Sequence, residues 1–163
     1  MNNISEHITY VEATKSQTAL NLGILNVPSE SNLERMRVLA NKVFEPLRAY
    51  FGLKIGISSF YRCYELNCAI GGSKNSQHLA ENGSAMDIDA EIFGGITNKE
   101  IFNYIKDNLI FDQLIAEFPD TTGEPQWVHV SYNENHNRGN ILVSRKNVYG
   151  QTEYVEWSEE GTI

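Results

Sequence analysis

The sequence predicts an α+β domain in which a small antiparallel sheet packs against helices. Three observations predict it. A long amphipathic helical pattern occupies the first third of the chain. Short alternating runs bounded by turn residues fill the rest. The order is helices first, then strands mixed with helices, which favours an antiparallel sheet over regular strand–helix–strand units. The 163 residues suit one domain, 1–163, with a single core.

Taken in order, the first thirty residues carry polar turn chemistry, at Thr14-Lys15-Ser16-Gln17-Thr18 and Asn26-Val27-Pro28-Ser29. Ser29 or Ser31 is placed to cap the next helix. From Asn32 to Phe51, Leu33, Met36, Leu39, Ala40, Val43, Phe44, Leu47 and Phe51 recur at three and four. That period marks a helix with one buried face, and packing on a sheet accounts for it better than a free partner-binding helix. Gly52 ends it. Lys54 to Ser59 reads as a strand, Cys63 to Ala69 as a short helix and Gly71 to Ser76 as a turn-rich loop. Ser84 to Ala90 alternates as a strand. Thr97 and Glu100 form a capping-box pattern for a helix to about Asn108, with Ile101, Tyr104 and Ile105 inward. Phe111–Phe118 and Trp127–Tyr132 read as two strands around a loop with Pro119, Gly123 and Pro125. Ile141–Ser144 and Glu153–Trp157 complete the strand set.

Composition narrows the function. No apolar run approaches the roughly 20 residues of a membrane helix, so no membrane partner is expected. The stretch MNNISEHITYVEATKS lacks a basic start followed by an apolar segment, and no secretory signal is read there. The net charge of −8 argues against broad nucleic-acid binding, which needs clustered Lys and Arg. Cys63 and Cys68 form a lone C-x4-C pair, a poor zinc signature, and read as two small half-buried thiols.

Of the four histidines, His7 and His136 have only polar neighbours and suggest no role. His78 stands at a loop end and is followed, across Gly83-Ser84-Ala85, by Asp87 on a strand. The small residues allow close backbone approach. Alternation puts Ala85, Asp87 and Asp89 on one strand face, where repeated aspartate is unfavourable without a metal or positive partner. On the Trp127–Tyr132 strand, His129 shares a face with Trp127 and Ser131. His78, Asp87 and His129 are therefore candidate zinc ligands, since three protein ligands with an open fourth position is the catalytic pattern. Asp89 is the alternative carboxylate.

These residues also carry a family likeness. Ser76, His78, Gly83, Ala85 and Asp87, followed by Trp127 and His129, resemble the S-x-H-x-x-G-x-A-x-D and W-x-H elements of the zinc D-Ala-D-Ala carboxypeptidases and L-alanyl-D-glutamate endopeptidases, M15-like peptidases with short phage-borne members. Ser58 to Arg62, Asn67, Gly71 to Ser73 and Phe111 to Glu117 resemble the segments between them. The likeness spans roughly Thr14 to Tyr154. It implies the zinc D-Ala-D-Ala carboxypeptidase-like (hedgehog/DD-peptidase) fold. One departure is the spacer between His78 and Gly83, which has four residues, Leu79 to Asn82, where the family has two.

The resemblance implies one Zn2+ per chain on His78, Asp87 and His129, and bacterial peptidoglycan as substrate, with phage particle proteins as further partners. Many relatives keep an acidic residue three positions before the last histidine. Here that position is Gln126, so Glu117 is the expected general base and Glu124 the alternative. Arg62 is expected to assist catalysis and bind substrate, with Ser76 and Gln113 as further substrate contacts. The negative charge is unusual for action on an anionic wall. A phage enzyme without a signal would act from the host cytoplasm at lysis or from the virion. The competing reading is an inactive virion structural or wall-binding domain that keeps the fold.

Overall fold

A computed structural model describes residues 3–158. Two short helices, α1 (Tyr10–Thr14) and α2 (Gln17–Leu22), come first, capped by Thr9 and Ser16. In the sequence this segment shows only turn chemistry, because each helix is too short to show a period. The segment nevertheless enters the core through Ile4, Ile8 and Ala13. Asn26 ties it down. Its side chain donates to the carbonyls of Thr14 and Tyr61, both at 2.9 Å, and accepts from the Cys63 N–H at 2.7 Å.

The long helix is present but not uniform. It runs as α3 (Glu30–Leu39), a π-helical turn (Ala40–Phe44) and α4 (Glu45–Phe51), capped by Ser29 and closed by Gly52 at φ 64°. Pro46 explains the break. It has no N–H, and its ring would collide with the carbonyl of Lys42 in a regular helix. The widened turn, with the Glu45 N–H reaching the Ala40 carbonyl, relieves that clash.

Six strands follow: β1 (Gly56–Ser59), β2 (Ser84–Asp89), β3 (Gln113–Glu117), β4 (Trp127–Tyr132), β5 (Asn140–Lys146) and β6 (Thr152–Glu156). The sheet order is β1-β2-β4-β3-β5-β6. Four pairings are antiparallel, but β3 and β5 run parallel, so the sheet is mixed and not purely antiparallel as expected. The cause is a crossover after β4 that carries the chain past β3. Asp112 holds that crossover. Its buried carboxylate accepts from the Arg138 N–H at 3.0 Å, Nε at 2.9 Å and Nη2 at 2.6 Å, and its carbonyl accepts from the Asn140 N–H at 3.1 Å.

Alternation divides the sheet into two faces. Ile57, Met86, Ile88, Leu114, Ala116, Val128, Val130 and Val143 form the apolar face. It packs against α3, α4 and α6 (Asn98–Asn108), whose Ile101 and Ile105 are fully buried as the sequence predicts. Fully burying each such side chain contributes about 1.5–3 kcal/mol. The helix α5 (Tyr64–Ala69) lies at the edge, with Cys63 half-buried at its cap and Cys68 exposed, not half-buried as expected. Among the described residues no helix is long and apolar enough to cross a membrane.

Candidate metal centre

The second face of the sheet carries the chemistry. Register places Asp87 opposite His129, and His129 opposite Ile115. Two residues along, Trp127 lies opposite Glu117, Glu117 opposite Ser144, and Ser144 opposite Tyr154. Directly opposed residues share a face, so Asp87, His129, Glu117 and Tyr154 line one groove together with Ile115 and Trp127.

His78 reaches that groove from a 3-10 turn (Gln77–Leu79) capped by the Ser76 hydroxyl. Its orientation is set by one contact: Nδ1 lies 2.6 Å from the Phe60 carbonyl. A carbonyl only accepts, so Nδ1 carries the proton and Nε2 presents a lone pair. A bulge between Ile57 and Ser59 in β1 precedes the segment that supplies this carbonyl, as bulges near sites often do.

Three donor atoms converge. His78 Nε2 is 3.2 Å from Asp87 Oδ1 and 3.3 Å from His129 Nδ1, and His129 Nδ1 is 2.9 Å from Asp87 Oδ1. Tetrahedral coordination with bonds of about 2.0–2.1 Å requires donor separations of about 3.3 Å. The triangle fits one face of that tetrahedron after small adjustments. The donor chemistry agrees, because two imidazole nitrogens and a carboxylate oxygen share at most one proton between them and otherwise present lone pairs to a common point. Within the described residues this group is one of two that could hold a metal; the other, Glu6, His7 and Glu45, is largely exposed, with His7 paired to Glu45 at 2.6 Å.

Electrostatics prepare the donors. Burial holds the His78 imidazole below its ordinary pKa, so it is neutral at pH 7, the form a metal needs. Burial would raise the Asp87 carboxyl, but its close contacts with His78 and His129 outweigh it and hold the group well below the usual carboxylate range. Arg62 takes the other Asp87 oxygen, Nη2 to Oδ2 at 2.7 Å, leaving Oδ1 to the cluster. Ser59 fixes Arg62 through Nε at 3.0 Å.

The four-residue spacer does not displace Asp87. Ala80 turns the chain at φ 54°, and the carbonyls of Leu79 and Ala80 accept from the Asn32 amide at 3.2 and 2.9 Å. The extra residues dock on the start of α3. Gly83 is required beyond them, because a Cβ there would lie 2.5 Å from the Tyr132 carbonyl.

The remaining expected residues divide. Glu117 is 6% exposed on the groove face, with one oxygen accepting from the Ser144 hydroxyl. Desolvation raises its pKa, only partly offset by that hydrogen bond. Glu117 is the diagonal neighbour of His129 across the β3–β4 pair, a spacing of about 7–8 Å between the two positions. Gln113 and Ser76 also line the groove. Glu124 does not. Its carboxylate accepts from the Lys99 N–H at 3.0 Å, at the start of α6. Asp89 also faces elsewhere, accepting from the Glu91 N–H at 3.0 Å and capping the 3-10 turn Ala90–Ile92. Gln126 is exposed, and its N–H bonds the Glu117 carbonyl at 2.8 Å.

Sequence reasoning missed several groove residues. Tyr154 lines the groove, while Ser144 is fully buried and reaches it only through Glu117; both come from the last hairpin. A lone serine among Ile141, Leu142 and Val143, and a tyrosine at alternating position, were the only signals. Desolvation and the charges of Glu117 and Asp87 raise the Tyr154 pKa, so its hydroxyl keeps its proton as a donor. Gln77, beside His78, donates to Asp112 at 2.9 Å and links the 3-10 turn to the crossover clamp. His136, set aside on sequence, lines the groove as well.

Two imidazoles and a carboxylate at a groove, with a second carboxylate buried beside them, have the donor chemistry that a metallohydrolase centre requires. A model of the Peptidase M15 family matches residues 6–131, well over half of the chain, and the protein belongs to that family of metallopeptidases. No curated protein matches the chain.

Proposed function

We propose that the protein is a zinc peptidase hydrolysing peptide bonds in the stem peptides of bacterial peptidoglycan, of the D-Ala-D-Ala carboxypeptidase or L-Ala-D-Glu endopeptidase type. The convergence of His78 Nε2, Asp87 Oδ1 and His129 Nδ1 beside buried Glu117 carries this reading. These three residues would hold the ion. Zinc held there would polarise the scissile carbonyl and lower the pKa of a water toward ~7. Glu117 then takes the water's proton on the oxygen that Ser144 leaves open and returns it to the leaving amine. Its raised pKa favours that return. Arg62 uses Nη2 on Asp87 and Nε on Ser59, leaving Nη1 for a substrate carboxylate or oxyanion. Ser76 and Gln113 contact the peptide along the groove.

Mass analysis of wall fragments after incubation, with and without chelator, tests the reading and identifies the bond. New amines and carboxyls that vanish with chelator are expected. Zinc-loaded protein that releases neither would support the inactive wall-binding alternative, which Gln126 at the usual acidic position favours. The motif likeness to short phage-borne members supports a phage origin, and mass spectrometry of purified particles would detect a virion form.

A further inference from the structure

Ser144 is fully buried on β5, directly opposite Glu117 on the parallel strand β3. Its hydroxyl makes two bonds of fixed sense. The Phe118 N–H donates to Ser144 Oγ at 3.0 Å. That N–H can only donate, so the hydroxyl proton is free to go to the acceptor-only Glu117 carboxylate, at Oε2. Phe118 turns at φ 45°, a conformation rare for a bulky residue. The relay from the Phe118 amide through Ser144 to Glu117 thus holds one carboxylate oxygen and leaves the other for the groove. The apolar residues of this strand, such as Val143, need no such partner.

We propose that Ser144 is a positioning residue that holds Glu117 in its working orientation, so that the catalytic apparatus extends to β5, beyond residues 6–131 that carry the family match. The proposal rests on Glu117 as the base. Ser144 touches neither substrate nor metal and acts only through Glu117.

The test uses Ser144→Ala and Ser144→Thr in the full chain, with Glu117→Gln as reference. In Ser144→Ala, kcat is expected to fall about 10–100-fold, with KM and zinc content unchanged and the acid limb of the pH profile moved to higher pH. Ser144→Thr keeps the hydroxyl and should return the limb to its parent position. Without metal, the Glu117 carboxyl carbon, identified by its loss in Glu117→Gln, should titrate at higher pH in Ser144→Ala than in the parent. If Ser144→Ala does not fold, Ser144→Cys, a weak donor of similar size, should show the same displacement. A folded Ser144→Ala or Ser144→Cys with parent kcat and an unmoved acid limb overturns the proposal, as does a folded Ser144→Thr with the limb still displaced. Full activity in Glu117→Gln instead overturns the base assignment beneath it, so the two failures are distinguishable.

Discussion

The two faces of the sheet share one period and obey opposite rules. On the helix side, Met86, Ile88, Val128 and Val130 are fully buried and apolar, so each contributes to stability. On the groove side, Asp87, Glu117 and His78 are nearly as buried, at 7, 6 and 3%, yet all are polar or charged. Burying such groups costs stability unless each finds a partner. His78 has the Phe60 carbonyl and Asp87 has Arg62, whereas Glu117 has one neutral hydroxyl. The difference teaches that the groove face gives up stability that the helix face gains, and Glu117 is its least compensated member.

Breaking the comparison at its strongest point means removing a ligand. Asp87→Ala is expected to reduce zinc from one per chain to none, with activity lost, measured by metal analysis of dialysed protein. It also strands Arg62 at the rim of the groove. Retention of stoichiometric zinc would sink the ligand assignment.

Next in size, Glu117→Gln should lower turnover by about 10²–10⁴-fold while zinc stays bound. It should also raise the melting temperature at pH 7. The sign follows from the raised pKa: the folded state holds the Glu117 proton more tightly than the unfolded chain, so this group's stabilising contribution is full below the ordinary glutamate pKa and is lost as pH rises through the folded value. The advantage of glutamine should therefore shrink on acidification, as paired melts at pH 4 and 7 would show. A less stable variant at pH 7 contradicts the idea that this carboxylate is undercompensated.

On the opposite face, Met86→Ala should cost about 2–5 kcal/mol of folding free energy and leave zinc stoichiometry intact, read by denaturant unfolding beside metal analysis. Metal loss in a folded Met86→Ala would show that the two faces are not separable. The smallest effect is expected at Glu124. Its carboxylate caps α6 outside the groove, so Glu124→Gln should cost about 0.5–1 kcal/mol. Turnover should stay at the parent rate within assay error, and a loss like that of Glu117→Gln would return it to candidacy as the base.

How much of this was legible in the sequence varied with the range of the interaction. The α6 capping box, the Gly52 stop, the bounds of β4 and the facing of His129 follow from neighbours within four residues, and all stand in the structure. The π-helical turn was readable in principle, since Pro46 sits inside the periodic stretch. The parallel β3–β5 pair was not, because it depends on the Asp112–Arg138 clamp, 26 residues apart. Asp89 illustrates the same boundary. Alternation put it on the same face as Asp87, and only the packing of Asn98 and the turn after β2 directed it away from the His78–Asp87–His129 cluster.

By itself, then, the sequence determined the element types, the ligand residues His78, Asp87 and His129 as candidates, and the family likeness, because periodicity, capping and motif spacing are local properties of a chain. Tertiary structure alone decided which carboxylate stands at the groove and what surrounds it. Glu117 and Glu124 are both acidic and both ahead of His129, and the sequence ranks the first above the second without placing either at the groove. Strand register turns the first into the groove beneath Ser144, and the fold of the following loop sends the second to cap α6. Register and loop docking are set by the summed packing of distant residues, and no local pattern encodes that sum.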